Sequence, residues 1–131
     1  MTVEPIRDKS KIKMMYHLLN SKDPKYGLLF KFGLNTGLRI SDILPVKVCD
    51  IYNDNFEFKE YFVLKEKKTG KEKKIKINTA LRKEIDAYVK NNKLSANNYL
   101  FASKKGKHFG RVQAYRVLKE CADILGIENF G

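Results

Sequence analysis

Thr36-Gly37-Leu38-Arg39-Ile40-Ser41-Asp42 decides how this chain is read, because it puts an arginine and a carboxylate at a corner between two helices. Upstream, Lys25 to Asn35 carries Leu28, Leu29, Phe32 and Leu34 at helical spacing, and Thr36-Gly37 brings that helix to a stop. Downstream, Ser41 and Asp42 suit the first turn or cap of a short helix through Leu44, which Pro45 ends. Arg39 is therefore expected at the junction, where its guanidinium could grip a phosphate. The spacing equally allows a plain surface pair between Arg39 and Asp42, and such pairs contribute under about 1 kcal/mol.

Outward from this corner the chain reads as mainly helical. Asp8 can cap a helix through Asn20, with Ile12, Met15, Leu18 and Leu19 at helical spacing, and Ser21-Lys22-Asp23-Pro24 separates it from the next helix. His17, alone on that first helix, reads as a surface residue without a role. After Pro45, the β-formers Phe56, Phe58, Tyr61, Phe62 and Val63 and the alternation of Ile75 and Ile77 with lysines predict two antiparallel strands joined at Thr69-Gly70. Asn78 and Thr79 then cap a helix to about Asn91, with Leu81, Ile85, Tyr88 and Val89 on one face. A Lys/Gly loop from Ser103 to Gly110 leads into a last helix, Arg111 to Leu125, that Gly126 can terminate. Tyr115 shares a face of it with Leu118 and Ala122 and is expected in the core. The fold class is α+β, mainly α with a small antiparallel sheet, with no internal repeat and no linker dividing domains.

The 131 residues make one domain, long enough to bury about two thirds of the unfolded surface. A formal net charge of +12, with 43% hydrophobic and 11% aromatic residues, excludes a disordered basic tail and favours a polyanionic partner. Ribosomal and membrane-surface proteins share such a charge. No apolar stretch approaches the roughly 20 residues that span a bilayer, and the N-terminus is polar, so a cytoplasmic protein without a membrane partner is expected. Cys49 and Cys121 lie far apart with no metal-ligand spacing and read as reduced, packed thiols, which makes metal chemistry improbable. Within the hairpin, Lys65, Lys67, Lys68, Lys71, Lys73, Lys74 and Lys76 stand against Glu66 and Glu72, a local excess of five positive charges. A solvated, lysine-guarded strand edge would have the same composition.

The run FGLNTGLRISDIL closely resembles the first arginine box of the tyrosine recombinases, the phage integrase family. Val3-Glu4-Pro5-Ile6-Arg7-Asp8 resembles the opening of that family's catalytic domain, Lys67-Lys68-Thr69-Gly70-Lys71 its lysine-bearing hairpin, and Arg111-Val112-Gln113-Ala114-Tyr115-Arg116 the helix preceding its second box. The resemblance spans nearly the whole chain. It implies a catalytic-domain-like fold and double-stranded DNA as partner, with Arg39 clamping the scissile phosphate and Asp42 supporting it. It also implies Lys68 as general acid toward the leaving 5′ oxygen, with Lys67 and Lys71 as alternatives by register. Lys65, Lys67, Lys71 and Lys73 on the hairpin, and Lys104, Lys105, Lys107 and Arg111 before the last helix, are the expected DNA contacts. No cofactor is called for.

The chemistry suits those residue types. When a tyrosine attacks a DNA phosphate, charge concentrates on the non-bridging oxygens, and a planar, permanently charged guanidinium can meet two of them with two N–H donors.

An active member of the family also needs a His-x-x-Arg box, a further His or Trp, and the nucleophilic tyrosine, and none is found in its expected place. His108-Phe109-Gly110-Arg111 has the spacing but stands before the last helix rather than after it, and Tyr115 follows too soon to match the nucleophile. The expectation is a partial catalytic domain over residues 1–131, incomplete at its C-terminus, lacking the N-terminal helical domain and inactive alone. It would be monomeric without DNA, with a tetramer on DNA only for the intact protein. The rival readings are a non-enzymatic duplex-DNA-binding module or decayed integrase, and, more weakly, a basic RNA-binding protein, although the chain lacks the aromatic ribonucleoprotein motif and a GXXG loop.

Overall fold

A computed structural model describes residues 9–103 and 106–127; the Val3-to-Asp8 motif, the Asp8 cap, Lys104 and Lys105 lie outside the described residues. Its order is α1 Lys9–Lys22, α2 Pro24–Thr36, α3 Ile40–Ile43, α4 Val48–Ile51, β1 Phe62–Lys65, β2 Glu72–Ile75, α5 Thr79–Asn91 and α6 Arg111–Ile124. The class is the expected one, helices with a single two-stranded antiparallel sheet among the described residues.

The helix boundaries follow local chemistry. α1 runs two residues past the expected Asn20 and gives way at Asp23, whose carboxylate accepts the N–H of Lys25 at 3.0 Å as Pro24 opens α2. Asn78 caps α5 by accepting the N–H of Leu81 at 2.9 Å. Gly37 and Gly126 follow α2 and α6 at φ 70° and 68°, the left-handed region that glycine enters without strain.

α2 is the central element: Leu28, Leu29 and Phe32 are almost fully buried, and α1, α5, α3 and α6 pack around it. Gly27 lets α1 approach closely, since a Cβ there would meet the Asn20 side chain at 2.8 Å. Phe32 meets Phe62 of the hairpin and Phe101 of the later loop edge-to-face, each at 6.1 Å, which ties the sheet and the loop before α6 to the same core.

Three points depart from the sequence reading. Tyr115 is 36% exposed: Ala114, Leu118, Cys121 and Ala122 form the buried stripe of α6, and Tyr115 falls on its margin. Phe56 is no strand residue. It takes φ 59° and stacks on Tyr52 at 4.6 Å, since Asn53 Oδ1 accepts the N–H groups of both Asn55 and Glu57 and folds the backbone locally. Finally, α4 is an element the sequence did not suggest; its first turn closes where the N–H of Lys47 donates to Asp50 Oδ2 at 2.8 Å. His17 is exposed, as expected, and Cys121 is buried while Cys49 is half-buried.

Candidate nucleic-acid interface

The turn between α2 and α3 is built from its backbone outward. The Thr36 hydroxyl donates to the carbonyl of Phe32 at 2.6 Å and accepts the N–H of Leu38 at 3.3 Å, while the N–H of Gly37 returns to the carbonyl of Gly33 at 2.9 Å. Leu38 is buried, so it anchors the turn in the core. The carbonyl of Arg39 then accepts the N–H groups of Asp42 and Ile43 at 2.9 and 3.1 Å, which starts α3. Arg39 is thus the N-cap residue of α3, held by its backbone and exposed, with no side-chain cap bond and no ion pair among the described residues. The plain Arg39–Asp42 surface pair does not form.

Asp42 turns the other way. It is 3% exposed, the one buried charged side chain among the described residues, and its Oδ1 accepts the N–H of Lys67 at 3.1 Å. A buried carboxylate needs such a donor, since leaving the charge unpaired costs several kcal/mol. The bond joins the arginine turn to the start of the hairpin's tip. Asp42, Lys65 and Lys67 line a cleft of about 150 Å³ with Pro45, Asp50 and Phe62.

β1 and β2 pair from Phe62 with Ile75 to Lys65 with Glu72. The turn beyond them closes through Glu66 N–H to Lys71 O at 2.9 Å and Gly70 N–H to Glu66 O at 2.8 Å, with Gly70 at φ 69°. Lys67, Lys68 and Lys71 are exposed on this tip, as are Lys65 and Lys73 on the strands. Lys73 lies 3.8 Å from Glu66, a loose pair, and Lys74 sits 4.5 Å over the Tyr61 ring. Exposed lysines on both strands and on the tip make the hairpin a cationic tongue.

Of the second expected cluster, Lys107 and Arg111 fall among the described residues. Lys107 is exposed in the turn before α6, and Arg111 is exposed as the first residue of α6. No hydrogen bond or ion pair links either to the arginine turn or the hairpin among the described residues. His108 packs its ring edge-on against Tyr99 at 5.2 Å, and its Nδ1 lies 3.0 Å from the carbonyl oxygen of Phe109, a contact that suits an N–H donor. That half-buried setting fits a packed residue. Lys47, which the sequence did not single out, sets its ammonium 5.1 Å over Tyr99; the two residues are 52 positions apart and only the fold joins them.

A further polar hub braces α1, α2 and α5 behind the interface. Glu84 Oε1 accepts from the Tyr16 hydroxyl at 2.6 Å and from the Lys31 ammonium at 3.1 Å, and Lys31 lies 4.1 Å over the Tyr16 ring. Burial and then the Glu84 carboxylate push the Tyr16 hydroxyl up to about 12.

Comparison with known proteins places this architecture. The model of the phage integrase family matches residues 6–130. The Bacillus subtilis (strain 168) protein named "Probable integrase/recombinase YoeC" is 42% identical over 130 residues, covering 98% of this chain and 68% of that protein. Among solved structures, XerA recombinase superposes with a TM-score of 0.71 at 17% identity, covering 97% of this chain and 45% of its own. A lambda integrase tetramer bound to a Holliday junction gives 0.74 at 15% identity, covering 100% of this chain and 37% of its own. The chain therefore spans less than half the length of these two solved chains.

Proposed function

The chain belongs to the phage integrase family, and on that premise we propose that residues 1–131 form the DNA-engaging part of the catalytic domain of a site-specific tyrosine recombinase. The observation that carries the reading is the Asp42–Lys67 hydrogen bond, which couples an unpaired, exposed arginine to the base of a lysine-rich hairpin tip. In this reading the Arg39 guanidinium meets the non-bridging oxygens of the scissile phosphate. Asp42 steadies the turn, and Lys68 delivers a proton to the leaving 5′ oxygen of double-stranded DNA. Lys65, Lys67, Lys71 and Lys73 hold the flanking phosphates, and Lys104, Lys105, Lys107 and Arg111 form a second contact.

Such an assignment fits the physics of the site. Among the described residues the guanidinium has no ion-pair partner to give up, so a phosphate gains charge-assisted hydrogen bonds without breaking such a pair. A backbone held through Leu38, Asp42 and Ile43 means that little ordering is left to do on binding.

Strand cleavage and rejoining through a 3′-phosphotyrosyl link belongs to the intact protein in this reading. Among the described residues no hydrogen bond or ring contact joins Tyr115 to the arginine turn, and this stretch alone is expected to bind DNA without forming a covalent adduct. It is expected to be cytoplasmic and monomeric without DNA, the tetramer belonging to the intact protein, as lambda integrase forms one on a Holliday junction. No helix among the described residues is long and apolar enough to cross a membrane.

The test is binding to duplex DNA and to RNA of the same length across salt concentrations. A steep fall of duplex affinity with salt and preference for duplex DNA are expected. Absence of duplex binding at low salt would refute the reading.

A further inference from the structure

We infer that Thr36 is a positioning residue for Arg39: its hydroxyl, by donating to the Phe32 carbonyl and accepting the Leu38 N–H, sets the direction in which the guanidinium leaves the α2–α3 turn. This rests on the reading of Arg39 as a phosphate clamp.

The geometry gives the hydroxyl a task that its neighbours do not share. Between the end of α2 and the start of α3 only Gly37, Leu38 and Arg39 intervene. Gly37 sits at φ 70° with its N–H bonded to the Gly33 carbonyl at 2.9 Å, which closes the end of α2 but leaves the peptide that follows to be held by other groups. The backbone N–H of Leu38, next to Arg39, has the Thr36 oxygen as its acceptor. On the other side, the Arg39 carbonyl is fixed by two helix N–H groups. The arginine is thus held from behind by Thr36 and from ahead by α3, while its exposed side chain makes no cap bond and no ion pair among the described residues. Without the hydroxyl, the Leu38 N–H loses its acceptor, and the peptide behind Arg39 is held only by the buried Leu38 side chain and the start of α3, so the guanidinium can shift from the geometry that a charge-assisted hydrogen bond needs. A valine at this position keeps the shape and β-branching of threonine and removes only the hydrogen bonds. Serine keeps the hydroxyl.

The experiment measures duplex-DNA affinity of the 131-residue chain against salt for the wild type, Thr36→Val, Thr36→Ser, Arg39→Ala and Thr36→Val/Arg39→Ala, with thermal unfolding of each. The slope of log affinity against log salt counts phosphate contacts at about 0.9 each, and it is read at a temperature where thermal unfolding shows every variant folded across the salt range. Arg39→Ala is expected to lower the slope by about 0.9. Thr36→Val should lower the slope in the same direction and weaken binding about three- to tenfold. Thr36→Ser should restore both, and the double variant should match Arg39→Ala alone, because a positioning residue has nothing left to position. If Thr36→Val fails to fold, Thr36→Ala carries the same test, since alanine favours the helix end.

A Thr36→Val slope equal to wild type beside a lowered Arg39→Ala slope overturns the inference and leaves the clamp reading standing. An additive double variant also overturns it. An unchanged Arg39→Ala slope overturns both.

Discussion

Asp42 and Lys67 are joined by a carboxylate-to-backbone hydrogen bond of 3.1 Å across 25 residues of sequence, and this bond makes one surface of the arginine turn and the lysine hairpin. The acceptor is a buried charge and the donor a main-chain group, so the tether holds the hairpin without engaging a lysine head group. Asp42→Ala should cost about 1 to 3 kcal/mol in urea unfolding, because a buried acceptor site is vacated and the Lys67 N–H loses its partner. Amide exchange at Lys67 should quicken, while Asp42→Asn, which keeps an acceptor oxygen, should lose less. Unchanged exchange at Lys67 in Asp42→Ala would show that the tether does not hold the tip.

The same architecture predicts a graded loss of DNA affinity from the tip. Replacing Lys65, Lys68 and Lys71 one at a time by alanine should lower the salt slope by about 0.9 for each lost phosphate contact, with little change in thermal stability, since these side chains are exposed. Lys73→Ala should behave alike, its 3.8 Å approach to Glu66 being a loose pair with a half-exposed lysine. Slopes that do not move would remove the hairpin from the interface.

Gly37 carries the corner's strain-free turn. Gly37→Ala meets no atom within 4 Å, so its penalty is conformational alone, about 1 to 2 kcal/mol for a left-handed residue with a Cβ. Chemical unfolding checks this, and a neutral substitution would mean that the turn can relax out of φ 70°.

Alkaline pH should act through the Tyr16 hub. The Tyr16 hydroxyl is raised from 10.0 to about 12, so the folded state holds its proton more tightly than the unfolded chain does. Its stabilisation is complete below pH 10 and is lost as pH rises through 12. Tyr16→Phe should therefore flatten the fall of stability between pH 10 and 12, read as thermal midpoints against pH. An unaltered alkaline profile would show that Tyr16 does not contribute to it.

Much of this was legible beforehand because it is local. Gly37, Asn78 and Gly126 act within a few residues of themselves, and the helices they bound lie where spacing placed them. The resemblance to the arginine box, carried by residues 32–44, pointed to the family to which the chain belongs. What escaped depends on distance or on competition. The Asp42–Lys67 bond and the Lys47–Tyr99 pairing bring together residues that share no sequence pattern. Phe56 reads as a strand former until Asn53 folds its backbone, and Tyr115 reads as core until the neighbours of α6 show which margin faces solvent.

The most direct measurement fuses this chain to the C-terminal segment of a family member whose target site is known and traps covalent protein–DNA adducts on nicked duplexes carrying that site. The account predicts an adduct with the fusion, a loss of about 10² or more in its rate with Arg39→Ala, and none from the 131-residue chain alone. An adduct that forms as fast with Arg39→Ala as without it would contradict the account.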